Sequence, residues 1–456
     1  MLRIAQTSSF SGCGSVSRRT ALSVGSCAAL GLSLPQLLAT ESATGRREKS
    51  VILIWLDGGP SQLETYDPKP EAPSDYRGPW TAIPTNVPGT FVTEKFPLQA
   101  KMADRMSIIR SLHHDNGDHF AAGHWMLTGR FGSTAANLTP MYPSLGSHIT
   151  RVKGVSSNGL PGYVGLPAAH AIYKYPGYMG AAYLGEAFNP FQVNNSQRYL
   201  ASTYTAAIKP PTFLASLQDE SAGRAGERVS LLQQLDQTQR KIDSTGLMES
   251  MDQYQQQALE MVSGPKAREA FDVQQEDEAT RDRYGRGPWG HYTLFARRLV
   301  EAGVRFVTVD MPHWDNHSGI EKGHGAKVPV VDQAVSALLT DLIERGLLDD
   351  VIVLVMGEFG RTPRLNKGQP GIPIPGRDHW GNAISAMIAG GGLRAGQVVG
   401  ATNSKAEHPV ERPLKPGNLL ATVYHSLGID PAQTFNDHSG RPVAILDERE
   451  PIHELL

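Results

Sequence analysis

The sequence predicts an α/β fold in which a mostly parallel sheet carries helices on both faces. Unbroken apolar runs such as residues 51–56 and 351–356 have the length and composition of strands buried on both faces. Amphipathic helical patterns alternate with these runs along the chain, which is typical of strand–helix–strand units. We expect two parts of one α/β domain, residues 46–130 and 286–456, separated by a helical and irregular insertion at 131–285.

The composition is that of a globular, loop-rich protein. The chain has 456 residues, of which 19% are charged and 7% aromatic, with 47 Gly and 31 Pro. A net charge of −2 gives no overall field that would attract nucleic acid or an anionic membrane. No basic stripe with interleaved aromatic residues is present, so nucleic-acid binding is not expected. No apolar run after residue 50 is long enough to span a bilayer.

The first 45 residues have the pattern of an export signal. Residues 17–22, Ser-Arg-Arg-Thr-Ala-Leu, resemble a twin-arginine motif and precede a weakly apolar stretch that ends near residue 39. We expect the twin-arginine translocase to export the folded protein to the periplasm or beyond. The mature chain would then have no transmembrane anchor. Both cysteines, Cys13 and Cys27, lie in this segment, so neither a disulfide nor thiol chemistry is expected after cleavage.

The first predicted strand ends in Asp57, Gly58 and Gly59. Ligands bind at the carboxyl ends of strands in open α/β sheets, and glycines let a ligand approach the backbone closely. The alternative is an aspartate that caps a turn. The functional interpretation gains weight because later strands also end in acids or histidines.

A dense group of histidines and aspartates follows the second predicted strand, at residues 106–112. Four histidines and two aspartates fall within residues 113–124. A helix is predicted after them, with Asp118 as its N-cap and Gly129 as its stop. His119 would then lie at a helix N-terminus, where anions bind. The alternative is a solvated loop with one packed histidine.

The middle of the chain specifies little chemistry. Residues 131–211 show no clear periodicity and predict an irregular segment that shapes the substrate entrance. Residues 229–262 predict one or two amphipathic helices, best explained as a hairpin packed on the core. The alternating pattern then resumes, with helices at 290–302, 329–348 and 416–427 and strands at 304–310, 351–356 and 383–389.

Acids and imidazoles that follow the apolar runs form a candidate metal site. Its members are Asp57, Asp315, His317, Glu358, Asp378 and His379. Carboxylate oxygen and imidazole nitrogen are ligands of divalent ions such as Zn, Mn, Ca or Mg. Two ions held close together bind both the attacking and the leaving oxygen of a phosphoryl-type transfer.

Several motifs resemble the bacterial exported family called domain of unknown function 1501. They are the Asp57-Gly-Gly-Pro-Ser turn, the run from His119 to Gly129, Trp314-Asp315-x-His317, Gly357-Glu358-Phe-Gly-Arg361-Thr-Pro and Gly376-Arg377-Asp378-His379-Trp380. That family in turn resembles the alkaline phosphatase and sulfatase superfamily. The resemblance implies an alkaline phosphatase-like fold and a hydrolase that acts on phosphate or sulfate esters with divalent metal ions.

The resemblance also implies roles for individual residues. Asp57 would bind the second metal, and Asp315 with His317 would bind the first. Glu358 would replace an Asp-His dipeptide, His379 would be the last histidine ligand, and Asp378 precedes it in the same motif. His119 would occupy the place of the nucleophile.

Two departures from the superfamily pattern affect the expected chemistry. Position 119 has no hydroxyl or thiol, and Phe359 stands where a histidine ligand would be expected. Attack by water is then expected, with His119 or His124 as general base or as ligand of a third metal. Arg361 and Arg377 have the geometry to hold a sulfate or phosphate, or alternatively each pairs with a carboxylate. His114 is a further candidate substrate contact.

Three functional hypotheses follow. The first is an exported metal-dependent hydrolase of a phosphate or sulfate ester, carried by a small molecule or a polysaccharide. The second is a catalytically degenerate cell-surface protein that binds a metal or a glycan. A metabolic enzyme similar to phosphoglycerate mutase fits the superfamily but not the export signal.

Overall fold

The computed structural model describes residues 48–132, 134, 136–137, 139–154, 160–169, 177–193 and 269–456. The predicted export signal and the predicted helical hairpin at 229–262 lie outside these residues. In the described part, no helix combines the length and the apolar character that crossing a membrane requires.

One eight-stranded sheet organises the chain. Its strands are β1 (Ser50–Trp55), β2 (Ser107–Leu112), β3 (Tyr163–Leu166), β4 (Phe191–Gln192), β5 (Phe306–Asp310), β6 (Val351–Met356), β7 (Ile384–Gly390) and β8 (Val398–Val399). They lie in the order β8-β2-β7-β6-β1-β5-β3-β4. Strand β7 is antiparallel to both neighbours, whereas the other pairings are parallel.

Helices cover both faces of this sheet. The longer ones are α1 (His119–Thr128), α2 (Leu145–Lys153), α3 (Glu278–Tyr284), α4 (Pro288–Glu301), α5 (Ile320–Glu344) and α6 (Pro416–Ser426). Alternate residues of β1 enter two separate cores. Ile52 and Ile54 pack with α4 and α5, whereas Leu53 and Trp55 pack with α1, α2 and α6. The predicted fold class, a mostly parallel sheet with helices on both faces, is confirmed.

Short helices and strands lie in the connecting loops. Helices Ser74–Arg77 and Pro97–Ala100 follow β1. Within the described ranges, four small hairpins pair Ala82–Pro84 with Phe91–Thr93, Gly360–Arg361 with His379–Trp380, Ala401–Thr402 with Pro409–Glu411, and Thr434–Asn436 with Pro442–Ala444. The second of these hairpins brings the Arg361 and His379 motifs side by side.

Two elements differ from the sequence-based expectation. The segment expected to be irregular contributes β3 and β4 to the main sheet. Strand β3 has only four residues and all are buried, so it shows no alternation that a pattern search detects. Helix α5 begins at Ile320, whereas the sequence predicted a start at Pro329. The prediction missed the first turns because they bury His324 and Lys327, and these residues do not continue the apolar stripe.

His148 on α2 provides a test of the core on this face. It is buried beside the rings of Tyr424 and Phe435, and burial lowers its pKa to about 3. The unfolded chain therefore binds one more proton than the folded chain between pH 6.5 and about 3. Above pH 6.5 the neutral imidazole does not lower the free energy of unfolding. As the pH falls from 6.5 to about 3, that free energy decreases, because the unfolded chain binds the proton first.

We expect His148→Leu to flatten the decline of unfolding free energy with falling pH by up to about 1.4 kcal/mol per pH unit. Urea unfolding at several pH values measures this slope. His453→Gln removes a histidine that is 62% exposed and serves as control. A His148→Leu slope equal to that of the wild type would contradict the assignment.

Candidate functional site

The carboxyl ends of three neighbouring strands define the site. Strand β1 lies between β6 and β5, and its last residue, Trp55, is in register with Met356 and Asp310. The loops that follow these residues therefore start at the same height and converge. They carry Asp57 after β1, Glu358 after β6, and Asp315 with His317 after β5.

Asp315 is the centre of the cluster. Its Oδ1 lies 2.9 Å from His317 Nε2, 3.0 Å from His379 Nε2 and 2.8 Å from Arg361 Nη2. Its Oδ2 lies 3.4 Å from His119 Nε2. Burial alone would raise the pKa of Asp315, but the contacts with His119 and His379 and the charge of Arg361 hold it far below its usual value. The carboxylate is therefore ionised at every physiological pH.

The three histidines around Asp315 share one orientation. Each Nδ1 is held by an oxygen on the outer side: Glu358 Oε1 at 2.7 Å for His119, Asp378 Oδ1 at 2.6 Å for His317, and the Gly117 carbonyl at 2.6 Å for His379. Because these oxygens accept, each Nδ1 carries a proton, and each Nε2 is directed toward Asp315. The Nε2 atoms of His317 and His379 are only 3.0 Å apart.

His119 begins α1, as the predicted Asp118 cap requires. The Asp118 side chain accepts a hydrogen bond from the Ala121 N–H, and Gly129 ends the helix in a left-handed conformation. Burial would lower the pKa of His119, but its contacts with Asp315 and Glu358 outweigh burial and raise it to about 10. At 3.4 Å from Asp315, its Nε2 has an ionic contact but no well-formed hydrogen bond.

Glu358 is fully buried behind His119. Its Oε1 accepts hydrogen bonds from His119 Nδ1 and, at 2.8 Å, from the Gly58 N–H. Its Oε2 is buried without a hydrogen-bond partner. Burial raises the pKa of Glu358, and the nearby charge of Asp57 raises it further, against the opposing effect of His119. Two carboxylates in one buried space favour a cation between them.

Asp57 is anchored by two aromatic side chains. Its Oδ1 accepts hydrogen bonds from Tyr178 Oη at 2.6 Å and from Trp55 Nε1 at 3.2 Å. Tyr178 was missed by the sequence analysis, because nothing distinguishes it among the tyrosines of its irregular segment. Its ring lies so close to α1 that a Cβ at Gly123 would come within 2.7 Å of it. Glycine is thus needed there to let the tyrosine reach Asp57.

Phe359, at the position where the resemblance led us to expect a histidine ligand, lies against two of the imidazoles of the site. Its ring stacks on His379 at a centroid distance of 4.4 Å and tilts against His119 at 4.9 Å. A Cβ at Gly59, which has a φ of 76°, would come within 2.3 Å of this ring. Phe359 therefore makes an apolar wall that orients two imidazoles.

The two predicted anion-binding arginines are both fully buried and already paired. Arg361 donates to the carbonyls of Gly58, Gly59 and Arg377 and to Asp315. Arg377 contacts Glu64 Oε1 at 2.8 Å and three further carbonyls. We therefore leave Arg377 out of the proposed site, and we assign Arg361 to the charge balance of Asp315 rather than to substrate.

Two other predicted histidines have both ring nitrogens engaged elsewhere. His124 contacts the Arg130 carbonyl at 2.9 Å and accepts from the Tyr142 N–H at 3.3 Å, and burial lowers its pKa to about 4. His114 donates to the Glu358 carbonyl at 2.7 Å and accepts from the Asn116 N–H at 3.2 Å. Neither has a nitrogen left for substrate, so we assign both to positioning roles.

The residues present fit a divalent cation. Among the described residues, His119, Asp315 and His379 offer ligand atoms within 4.8 Å of one another. The Oε2 atom of Glu358, which is buried without a hydrogen-bond partner, is a further oxygen that could bind a metal ion at the same carboxyl edge of the sheet. Oxygen and imidazole ligands with oriented outer partners are the donor set of zinc and manganese sites. Asp378 acts here as the partner of His317, and Asn366 Nδ2 in turn holds Asp378 Oδ2 at 3.3 Å.

Fold and site together define an α/β protein with an acid–histidine cluster at the carboxyl edge of its sheet. A family model described as "Protein of unknown function (DUF1501)" matches residues 48–456. The chain therefore belongs to this family, as its motifs predicted. No curated protein matches the chain.

Solved structures give distant similarities. The PsFucS1 sulfatase from Pseudoalteromonas sp. has 14% identity and a TM-score of 0.37, covering 86% of this chain and 70% of that one. The lipoteichoic acid synthase LtaP from Listeria monocytogenes has 10% identity and a TM-score of 0.38, with coverages of 88% and 75%. A protein in the alkaline phosphatase superfamily from Vibrio parahaemolyticus has 12% identity and a TM-score of 0.34, with coverages of 84% and 67%. At such low identities and TM-scores, these similarities do not bear on the activity of this chain.

Proposed function

We propose that this protein is a metal-dependent hydrolase of a phosphate or sulfate ester. One observation carries the proposal: three imidazoles, each fixed at Nδ1 by an outer oxygen, direct Nε2 at one ionised carboxylate, Asp315. A divalent ion bound beside Asp315 would accept lone pairs from the Nε2 atoms of His119 and His379, and it would replace the protons that these atoms carry when they face the carboxylate.

His119, Asp315 and His379 would hold one divalent ion, and Asp57 with Glu358 would hold a second. A bound ion supplies Lewis-acid polarisation of the ester oxygens. The other parts belong to the chain itself. His317 is 26% exposed, and its Nδ1 is held by Asp378 at 2.6 Å. Its Nε2 faces Asp315 Oδ1 at 2.9 Å, and it would become free to accept a proton from an attacking water, as a general base, when an ion engages that carboxylate.

Chelation tests this function. Protein purified without chelator is expected to hydrolyse an aryl phosphate or an aryl sulfate, to lose turnover with a chelator and to regain it with a divalent ion. His317→Ala is expected to lower kcat by at least about 100-fold, which is the lower end of the usual contribution of a general base. His453→Ala serves as control. Turnover that resists both the chelator and His317→Ala would refute the proposal.

A second candidate, a catalytically degenerate protein that binds a glycan or a metal, is favoured by the side chains at 119 and 359. Position 119 is a histidine and position 359 is a phenylalanine, where the resemblance to the superfamily implied a nucleophile and a histidine ligand. This candidate predicts glycan binding without turnover in both the wild type and His119→Ala. A measurable rate that collapses in His119→Ala would exclude it.

A further inference from the structure

A cavity of about 460 Å³ lies at the C-terminal end of α1, outside the acid–histidine cluster. Its aromatic wall consists of Trp125, Phe131 and Tyr142. The rings of Trp125 and Phe131 meet edge to face at 5.7 Å, and Phe131 is 50% exposed. Tyr142 is covered on one face by the Arg130 guanidinium at 5.0 Å. The exposed ring of Phe131 offers a flat apolar surface that no described residue covers fully.

The polar lining of this cavity has no net charge. Three cationic side chains stand against three anionic ones: Arg130, Lys415 and Arg449 against Asp447, Glu448 and Glu450. Arg130 Nη2 pairs with Asp447 Oδ1 at 2.7 Å, while its Nε is buried without a hydrogen-bond partner. A lining of this kind offers many donors and acceptors but favours neither an anion nor a cation. A neutral ligand rich in hydroxyl groups matches it.

Side-chain contacts link the wall of the cavity to the proposed site. Trp125 stacks on His114 with a centroid distance of 5.6 Å and an interplanar angle of 15°. His114 in turn donates to the Glu358 carbonyl. His119 and Trp125 are six residues apart on α1, which is about 9 Å along the helix axis. The two side chains also leave the helix about 120° apart, so a substrate that contacts both would have to be longer than one sugar ring and extend around α1.

We propose that this cavity is a subsite for a neutral sugar ring of the ester substrate. The inference deepens the proposed function: the aromatic wall would stack on the apolar face of the ring, and the paired charges would bind its hydroxyl groups. The leaving group of the ester would accordingly be an oligosaccharide or a polysaccharide rather than a simple alcohol.

Calorimetric titration with neutral trisaccharides of glucose, galactose and mannose, at millimolar concentrations, tests the subsite. Saturable binding of at least one trisaccharide is expected, both with and without added divalent ion. Phe131→Ala is expected to weaken it about tenfold, through loss of the stacking surface. Phe91→Ala, which removes a phenylalanine that is 47% exposed and outside the cavity, should leave the affinity unchanged.

The outcomes separate this proposal from the function proposed above. Absence of saturable binding by all three sugars, or equal affinity in Phe131→Ala and wild type, overturns the subsite even if aryl esters are hydrolysed. If the protein binds a trisaccharide in a way that depends on Phe131 but hydrolyses no aryl ester, the subsite is supported and the proposed hydrolase function is rejected.

Discussion

Asp315→Asn is expected to abolish metal binding and to lower ester hydrolysis at least about 100-fold, since even outer-shell partners of metal ligands contribute 10- to 100-fold. Asparagine keeps the size of the side chain but removes the charge on which His119, His317, His379 and Arg361 converge. Metal content and kcat/KM, measured on protein purified without chelator, check both effects.

The matched control is Asp349→Asn, which removes an exposed carboxylate far from β5 in the sequence. It should leave metal content and turnover at the wild-type level. An Asp315→Asn protein that retains both properties would show that the carboxylate is not the centre of a metal site.

Glu64→Gln is expected to lower the free energy of unfolding by about 3–5 kcal/mol, because it leaves a buried arginine without its counter-charge. Glu64 and Arg377 are both buried, and Glu64 Oε1 lies 2.8 Å from Arg377 Nη2 and 3.1 Å from Nε. The other carboxylate oxygen accepts a hydrogen bond from Ser61. Glutamine keeps one acceptor oxygen but removes the charge, so the guanidinium keeps its desolvation cost without a counter-charge.

Urea unfolding measures this loss. Glu94→Gln, at a half-exposed pair with Lys95 whose closest atoms are 3.9 Å apart, should change stability by less than about 1 kcal/mol. The double variant Glu64→Leu, Arg377→Met should recover only part of the loss: it removes the unpaired charge, but three carbonyls lose the Arg377 donor. A Glu64→Gln protein as stable as the wild type would contradict the burial of this pair.

The strands that the sequence predicted best are the ones with continuous apolar runs. Strands β1 and β6 are buried throughout, and each is followed two residues later by the predicted acid, Asp57 or Glu358. Strand order and register were not accessible, because any apolar run pairs equally well with another before the tertiary contacts are known. The four buried residues of β3 gave no periodic signal at all.

The types of residue at the site were predictable, whereas their pairings were not. Acids and histidines after strands were found one by one, but the contact between His119 and Glu358 joins residues 239 positions apart. Helical geometry alone separates His124 from His119: five residues turn a helix through about 140°, so the two side chains leave α1 in different directions. The same periodicity places Gly123, rather than His124, on the face that meets Tyr178.

The arginines show why a motif does not define a role. Sequence reasoning left each with two interpretations, an anion clamp or a carboxylate partner. The structure pairs Arg377 with Glu64, a residue of the long excursion after β1 that carries no recognisable signal. The full burial of both guanidinium groups favours the carboxylate-partner interpretation over the anion clamp. Burial depends on the assembled fold and could not be predicted from the motif.

Crystals grown without chelator and measured across the absorption edges of zinc and manganese test the metal site most directly. We predict an anomalous peak within bonding distance of Asp315 Oδ2 and of the Nε2 atoms of His119 and His379. The absence of any peak there, with these side chains ordered and the crystals soaked in either ion, would contradict a metal centre and the hydrolase built on it.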